Sequence, residues 1–372
     1  MKKKILFLFG TRPEAIKLAP VIIEFQKHIE FEVRIAVTAQ HREILDSVLH
    51  FFNIVPHYDL NIMTHEQNLA QLSADLIKKI SEDILTKEHF DYAIVQGDTT
   101  SAMAGAIAAF YQKIKVIHIE AGLRSGDIKA PFPEEQNRVY ISKISDFHFC
   151  ATPKAAQNLL AESIKKNVYV VGNTVIDALS IGKEKLEEIN QAVFFKHFEN
   201  IDFNKKVILF TCHRRESFGE GFKNICAAIN EIAKKYLQVE IVFPVHLNPN
   251  IKEKAHLYLQ QKNIHLIAPL DYPYLIWLLS KSYLVLSDSG GIQEEAPYFG
   301  KPILVLRNVT ERQEGIDAGV AKLVGINTSV IVSETARLID DISYYSSMAK
   351  KVNPYGDGSS AKQIATILKS SF

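Results

Sequence analysis

Cysteine is scarce. Only Cys150, Cys212 and Cys226 occur in 372 residues, and none share a Cys-x-x-Cys spacing. That argues against a disulfide framework or a zinc site, and fits a reducing cytosol. An excess of one charge is also lacking: 43 Lys and Arg stand against 42 Asp and Glu, a net charge of +1. This disfavours a general nucleic-acid binder, while a local basic patch stays open. No run approaches the ~18 apolar residues of a membrane span. Met1-Lys2-Lys3-Lys4 before ILFLF looks like a signal-peptide start, but the apolar run breaks at Gly10. It is too short for such a segment and reads as a first strand. Repeats and low-complexity tracts are absent as well.

Several signature motifs are missing. There is no G-x-x-x-x-G-K-[ST], hence no P-loop, and no G-x-G-x-x-G follows the first strand. Gly356-Asp357-Gly358-Ser359-Ser360-Ala361 matches the latter loosely, but it follows a proline and has no strand before it. No H-E-x-x-H exists, and Ser289 lacks the G-x-S-x-G setting of a hydrolase elbow. His213 and His246 are lone histidines after strands. The plain reading of such a residue is a structural hydrogen bond, and it is held for His246.

What is present is an alternation of short apolar runs and helical patterns. Hydrophobic content is 47% and charged content 23%, an ordinary globular mix. The length suits two α/β domains of ~150–200 residues each. Strands are expected at 4–9, 33–37, 91–95, 115–119, 147–150 and 168–171. A second set is expected at 206–210, 240–245, 264–268, 283–287 and 302–306. The alternation implies parallel sheets with helices on both faces. Segment 180–204 is charged and weakly patterned.

In such sheets ligands bind at the carboxyl ends of the strands, and polar residues collect there. Thr11-Arg12-Pro13-Glu14 opens a helix with a capping box. The box accounts for Thr11 and Glu14 but not for Arg12, which stands where an anion would sit. Asp98 and Glu120 each follow a strand. A strand-end acid is often only an N-cap, and Asp98 before Thr99-Thr100 fits that role. Two such acids on parallel strands favour chemistry. Glu134 or Glu135, after Pro133, reads as a helix N-terminal acid and no more. In Tyr283–Pro297 a strand gives way to Asp288-Ser289-Gly290-Gly291 and a helix start. That pattern suits a phosphate cradle, since glycines let the backbone approach a ligand and helix N–H groups point at it. Glu294 or Glu295 is placed to accept from a ribose diol. A tight turn with dipole-favoured acids is the competing reading.

Many spaced motifs then agree in order. They are Gly10-Thr11-Arg12-Pro13-Glu14-Ala15-Ile16-Lys17, Thr38-Ala39-Gln40-His41-Arg42, Gly97-Asp98-Thr99-Thr100, Glu120-Ala121-Gly122-Leu123-Arg124 and Pro133-Glu134-Glu135. His213–Gly219, Pro244–Asn250, Asp288–Pro297 and Asn353–Gly358 continue the series. Together they resemble the bacterial non-hydrolysing UDP-N-acetylglucosamine 2-epimerases over nearly the whole chain. The resemblance implies two Rossmann-like domains facing a cleft, as in GT-B glycosyltransferases, with a C-terminal helix crossing back to the first. The domains expected are 1–172, 173–352 and the returning segment 353–372.

The resemblance also implies interconversion of UDP-GlcNAc and UDP-ManNAc through a 2-acetamidoglucal, without a cofactor or metal. By position, Asp98, Glu120, Glu134 and His213 match the family's catalytic residues. Arg12, Lys17, Arg138, Leu275, Ser289, Gly290, Gly291, Glu295 and Arg312 match its substrate contacts. Gln40, Gln67, Arg214 and His246 match a second, effector UDP-GlcNAc site, although Thr64–Gln67 departs from the basic pattern there. Cys212 before the His and Gln313 after Arg312 are milder departures. A cytoplasmic homodimer with no nucleic-acid or membrane partner is implied. Other readings stay open: an epimerase of a diacetamido-uronic acid or 6-deoxy amino sugar, a GT-B glycosyltransferase, or a non-catalytic UDP-sugar sensor.

Overall fold

The computed structural model describes residues 2–38, 42–62, 68–212, 219–245, 249–350 and 353–371. They form two compact units, residues 1–181 with 355–372, and residues 182–354.

The first unit carries β1 (Lys3–Phe9), β2 (Phe31–Val37), β3 (Tyr58–Asp59), β4 (Tyr92–Gln96), β5 (Lys115–Ile119), β6 (Phe147–Cys150) and β7 (Val168–Val170). All pairings are parallel, and the order is β3-β2-β1-β4-β5-β6-β7. Ile5 to Phe9 are buried without alternation, as expected of a strand covered on both faces. On one side helix Thr100–Tyr111 packs close because its residues are small. A Cβ on Gly105 would lie 3.2 Å from Leu8 Cδ1.

The second unit repeats the plan with β8 (Lys206–Thr211), β9 (Val239–Pro244), β10 (Ile264–Ile267), β11 (Leu284–Ser287), β12 (Ile303–Val305) and β13 (Ala321–Leu323). Its order is β10-β9-β8-β11-β12-β13, again parallel. In both sheets the strand order reverses beside the first strand, between β1 and β4 and between β8 and β11. These are the switch points at which doubly wound sheets take ligands.

The C-terminal helix Ser360–Lys369 returns to the first unit and packs on helix Arg12–Gln26. Its N-terminus is held by Asp177, whose Oδ1 accepts from Ala361 N at 2.8 Å. Its far end is tied by Lys369 to Glu30 at 2.9 Å.

Segment 180–204 differs from its expectation. It contains most of helix Thr174–Glu188 and all of helix Gln191–His197. Phe194, Phe195, Phe198 and Phe203 surround Trp277, with ring centroids 5.1–5.4 Å from it. The order comes from a residue far along the chain, so local patterning did not announce it. Short β3 and β13 and helices Arg42–Phe51 and Leu69–Ile80 were likewise not expected.

Candidate active site

At the first switch point Glu14 ties the two loops together. Its Oε2 accepts from Gly10 N at 3.1 Å and Thr11 N at 2.8 Å. Its Oε1 accepts from Thr99 Oγ1 at 2.7 Å. Burial pushes the Glu14 carboxyl up, while hydrogen bonds from Thr99, Thr11 and Gly10 oppose that rise. Gly10 is required by close approach: a Cβ there would lie 2.0 Å from Thr38 Oγ1.

The cap of helix Thr100–Tyr111 is Thr99, whose Oγ1 accepts from Ala102 N at 3.0 Å. The N-cap role considered for Asp98 is therefore corrected. With the helix end satisfied by its neighbour, Asp98 Oδ2 takes Arg138, with Nε at 2.7 Å and Nη2 at 2.5 Å. Arg138 also meets Glu135 at 2.6 Å, and Glu135 Oε1 accepts from Ser125 N at 3.0 Å. Glu135 is only 3% exposed, so it is more than the helix N-terminal acid expected. Its i,i+3 spacing to Arg138 was the available signal. Asn137 Nδ2 adds a bond to the Asp98 carbonyl at 2.9 Å. The guanidinium itself is held more firmly protonated: burial works against it, and Asp98 and Glu135 outweigh that.

Glu120 follows β5 with φ +64°. Left-handed backbone costs a non-glycine residue about 1–3 kcal/mol and tends to mark functional sites. Its Oε2 accepts from Lys17 Nζ at 2.5 Å and from Gln96 Nε2 at 2.7 Å. The structure thus gives each strand-end acid a cation, Arg138 for Asp98 and Lys17 for Glu120. Gln96 was not singled out from the sequence, where it reads as an ordinary last strand residue. Beneath the same turn His118 donates from Nε2 to the Gly97 carbonyl at 2.8 Å. Burial pulls its pKa down to about 3, so the ring is neutral. Glu134 begins helix Glu134–Ile144 and is half-buried. Arg12, half-buried, begins the helix after β1.

In the second unit Ser289 precedes the short helix Gly290–Glu295. The two glycines differ. A Cβ on Gly290 would sit 3.1 Å from Arg312 Cζ, whereas one on Gly291 would meet, among the described residues, only Ser289 Oγ, at 4.0 Å. Arg312 binds Glu294 Oε1 at 3.1 Å and Glu311 Oε1 at 2.5 Å. Thr310 Oγ1 donates to Gln293 Oε1 at 2.7 Å and accepts from Arg312 N at 3.1 Å. Loop and helix are thereby locked together, and Arg312 engages Glu294 within the helix. Glu295 is buried at the end of the helix. Leu275 is half-buried on helix Tyr272–Lys281. Gln40, Gln67, His213, Arg214 and His246 lie outside the described residues. Among the described residues no group of His, Cys, Asp and Glu could hold a metal ion, and no helix is long and apolar enough to cross a membrane.

Two Rossmann-ordered sheets, with polar clusters at their switch points, define a doubly wound α/β protein of two such units. Comparison narrows the class. The sequence pattern of the family described as UDP-N-acetylglucosamine 2-epimerase matches residues 23–369. The UDP-N-acetylglucosamine 2-epimerase of Salmonella typhimurium strain LT2 is 47% identical over 371 residues, which is 99% of this chain and 98% of that one. The crystal structure of UDP-GlcNAc 2-epimerase from Neisseria meningitidis bound to UDP-GlcNAc superposes with a TM-score of 0.94 at 49% identity, covering 99% and 100% of the two chains. The Methanocaldococcus jannaschii UDP-GlcNAc 2-epimerase, in complex with UDP-GlcNAc and UDP, gives 0.84 at 33% identity, with 99% of each chain covered. The chain belongs to the UDP-N-acetylglucosamine 2-epimerase family.

Proposed function

We propose that the chain interconverts UDP-GlcNAc and UDP-ManNAc by anti elimination and re-addition of UDP. The observation that carries the mechanism is the pair of acids on adjacent strand ends, Asp98 and Glu120, each oriented by a buried cation. The hydrogen at sugar C2 has no neighbouring carbonyl to acidify it. Its removal must accompany cleavage of the C1–O bond, whose electron pair leaves with UDP. The C2–H pair forms the C1=C2 bond of a 2-acetamidoglucal, and the proton passes to a carboxylate. Return of a proton to the opposite face, with UDP re-adding at C1, completes the inversion.

Asp98, Glu120 and Glu134 serve the proton transfers and shelter developing positive charge. Arg12, Arg312, His213 and the backbone at Ser289–Gly291 stabilise the departing diphosphate. Lys17, Arg138, Leu275 and Glu295 complete the substrate contacts. The route needs no hydride carrier, and the loop after β1 holds Arg12 and Pro13 in place of a dinucleotide glycine fingerprint. An effector UDP-GlcNAc at Gln40, Gln67, Arg214 and His246, a homodimer and a cytoplasmic location belong to the same proposal and rest on the family resemblance.

The test is turnover of UDP-GlcNAc in heavy water followed by proton NMR. UDP-ManNAc should form with deuterium at C2. Asp98→Asn and Glu120→Gln should each cost ~10²–10⁴-fold in rate, the usual worth of an acid–base group, with UDP binding retained. No product at high enzyme concentration would defeat the activity. Product with hydrogen fully retained at C2 would defeat the elimination alone.

A further inference from the structure

We infer that Gln96 is a positioning residue for Glu120: its side-chain amide, together with Lys17, fixes one carboxylate oxygen and presents the other to the sugar. This rests on the epimerase reading above. Both donors converge on Oε2, Lys17 Nζ at 2.5 Å and Gln96 Nε2 at 2.7 Å. Among the described residues Oε1 accepts no hydrogen bond, so it is the oxygen left for proton transfer.

The two donors differ in kind. A lysine ammonium is a point charge on a flexible stem, with donors that rotate. It holds a carboxylate near but sets its plane poorly. An amide N–H is directional, and this one stands on rigid backbone. Gln96 is the last residue of β4 and pairs with Ile119, immediately before Glu120. Gly97 N donates to the Ile119 carbonyl at 3.0 Å, closing the ladder beside the site. Gln96 is almost fully buried, so its amide does not swing into solvent. Glu120 meanwhile leaves the strand in left-handed backbone, at φ +64°. That turn aims its side chain back toward the Gln96 amide and the Lys17 ammonium. A general base must lie within hydrogen-bond reach of its proton in a defined orientation, and Gln96 supplies the orientation that charge alone does not.

The experiment compares Gln96→Met and Gln96→His in the full chain by steady-state kinetics with UDP-GlcNAc and by UDP calorimetry. Methionine keeps the length and loses the donor, while histidine keeps a ring N–H. The methionine variant should lose about 10–10²-fold in kcat, the scale of a small misplacement of a reacting group. Its affinity for UDP should stay within about two-fold, because UDP contacts lie elsewhere, and the histidine variant should recover most of the rate. In a Glu120→Gln background Gln96→Met should cost nothing further, since coupled residues are non-additive. A purely structural role would be served equally by methionine and would add to Glu120→Gln. If Gln96→Met does not fold by circular dichroism, Gln96→Asn carries the same comparison, because it withdraws the amide by one methylene. A methionine variant within two-fold of the parent, equal losses in both variants, or additive losses would each overturn the assignment while the epimerase reading stood. An inactive parent chain would overturn both.

Discussion

Gly122 offers a prediction whose size follows from geometry. It lies two residues after Glu120, at φ +83°. A Cβ there would stand 2.2 Å from the Ala155 carbonyl oxygen, 2.8 Å from its carbon and 3.0 Å from Leu159 Cγ. The obstacle is helix backbone, so helix Pro153–Ala161 would have to move by about 1 Å to restore contact. Gly122→Ala therefore combines about 1–2 kcal/mol for a left-handed L-residue with about 1–3 kcal/mol for overpacking. It also strains the bond from Asn158 Nδ2 to the Gly122 carbonyl, now 2.9 Å, worth about 1 kcal/mol. We expect a loss of about 3–6 kcal/mol in the first unit, together with lower kcat as Glu120 shifts. Gly97 is the control. It has φ +69°, but among the described residues a Cβ there meets nothing within 4 Å, so Gly97→Ala should cost only the conformational ~1–2 kcal/mol. Urea unfolding followed by circular dichroism measures both. If the two variants differ by less than about 1 kcal/mol, the close approach to Ala155 does not govern this turn.

The other predictions concern pH and the second unit. Burial lowers the pKa of His118 to about 3 and of His148 to about 4, against ~6.5 when exposed. Below pH ~6.5 the unfolded chain takes up protons that the native state refuses, so stability should fall toward pH 4 by about 1.4 kcal/mol per unit for each ring. His148→Gln should flatten the slope between pH 6.5 and 4.5 by one such share, and urea titrations with the parent slope would contradict this. Gly291→Val should leave the melting temperature nearly unchanged, since among the described residues a Cβ there meets nothing nearer than Ser289 Oγ, in ordinary contact at 4.0 Å. If the diphosphate occupies that space, UDP affinity should drop at least about ten-fold, some 1.4 kcal/mol. Unchanged affinity by calorimetry would leave the tight-turn reading.

The strands were legible because a strand buried on both faces must be apolar throughout, as Ile5–Phe9 is. Their carboxyl ends were legible for the converse reason: polar residues that break such a run need a partner. The sequence could not say which partner. Asp98 had a local use as a cap, and only the structure shows that Thr99 takes that use. The partner of Glu294 is Arg312, 18 residues further on. Glu135 gave a short-range signal through Arg138, but its burial depends on a loop that brings Ser125 to it.

Gly290 and Gly291 show the limit most clearly, since adjacent and identical residues have different reasons. The first is small because Arg312 lies against it. Among the described residues the second touches no side chain that requires its smallness, and no positive φ requires it either. A residue whose identity the folded chain does not explain is the one whose explanation is to be sought in what the chain binds. That reasoning singles out Gly291 rather than the pair, and it also singles out Glu120, whose left-handed backbone serves no packing need that a glycine would not meet at less cost.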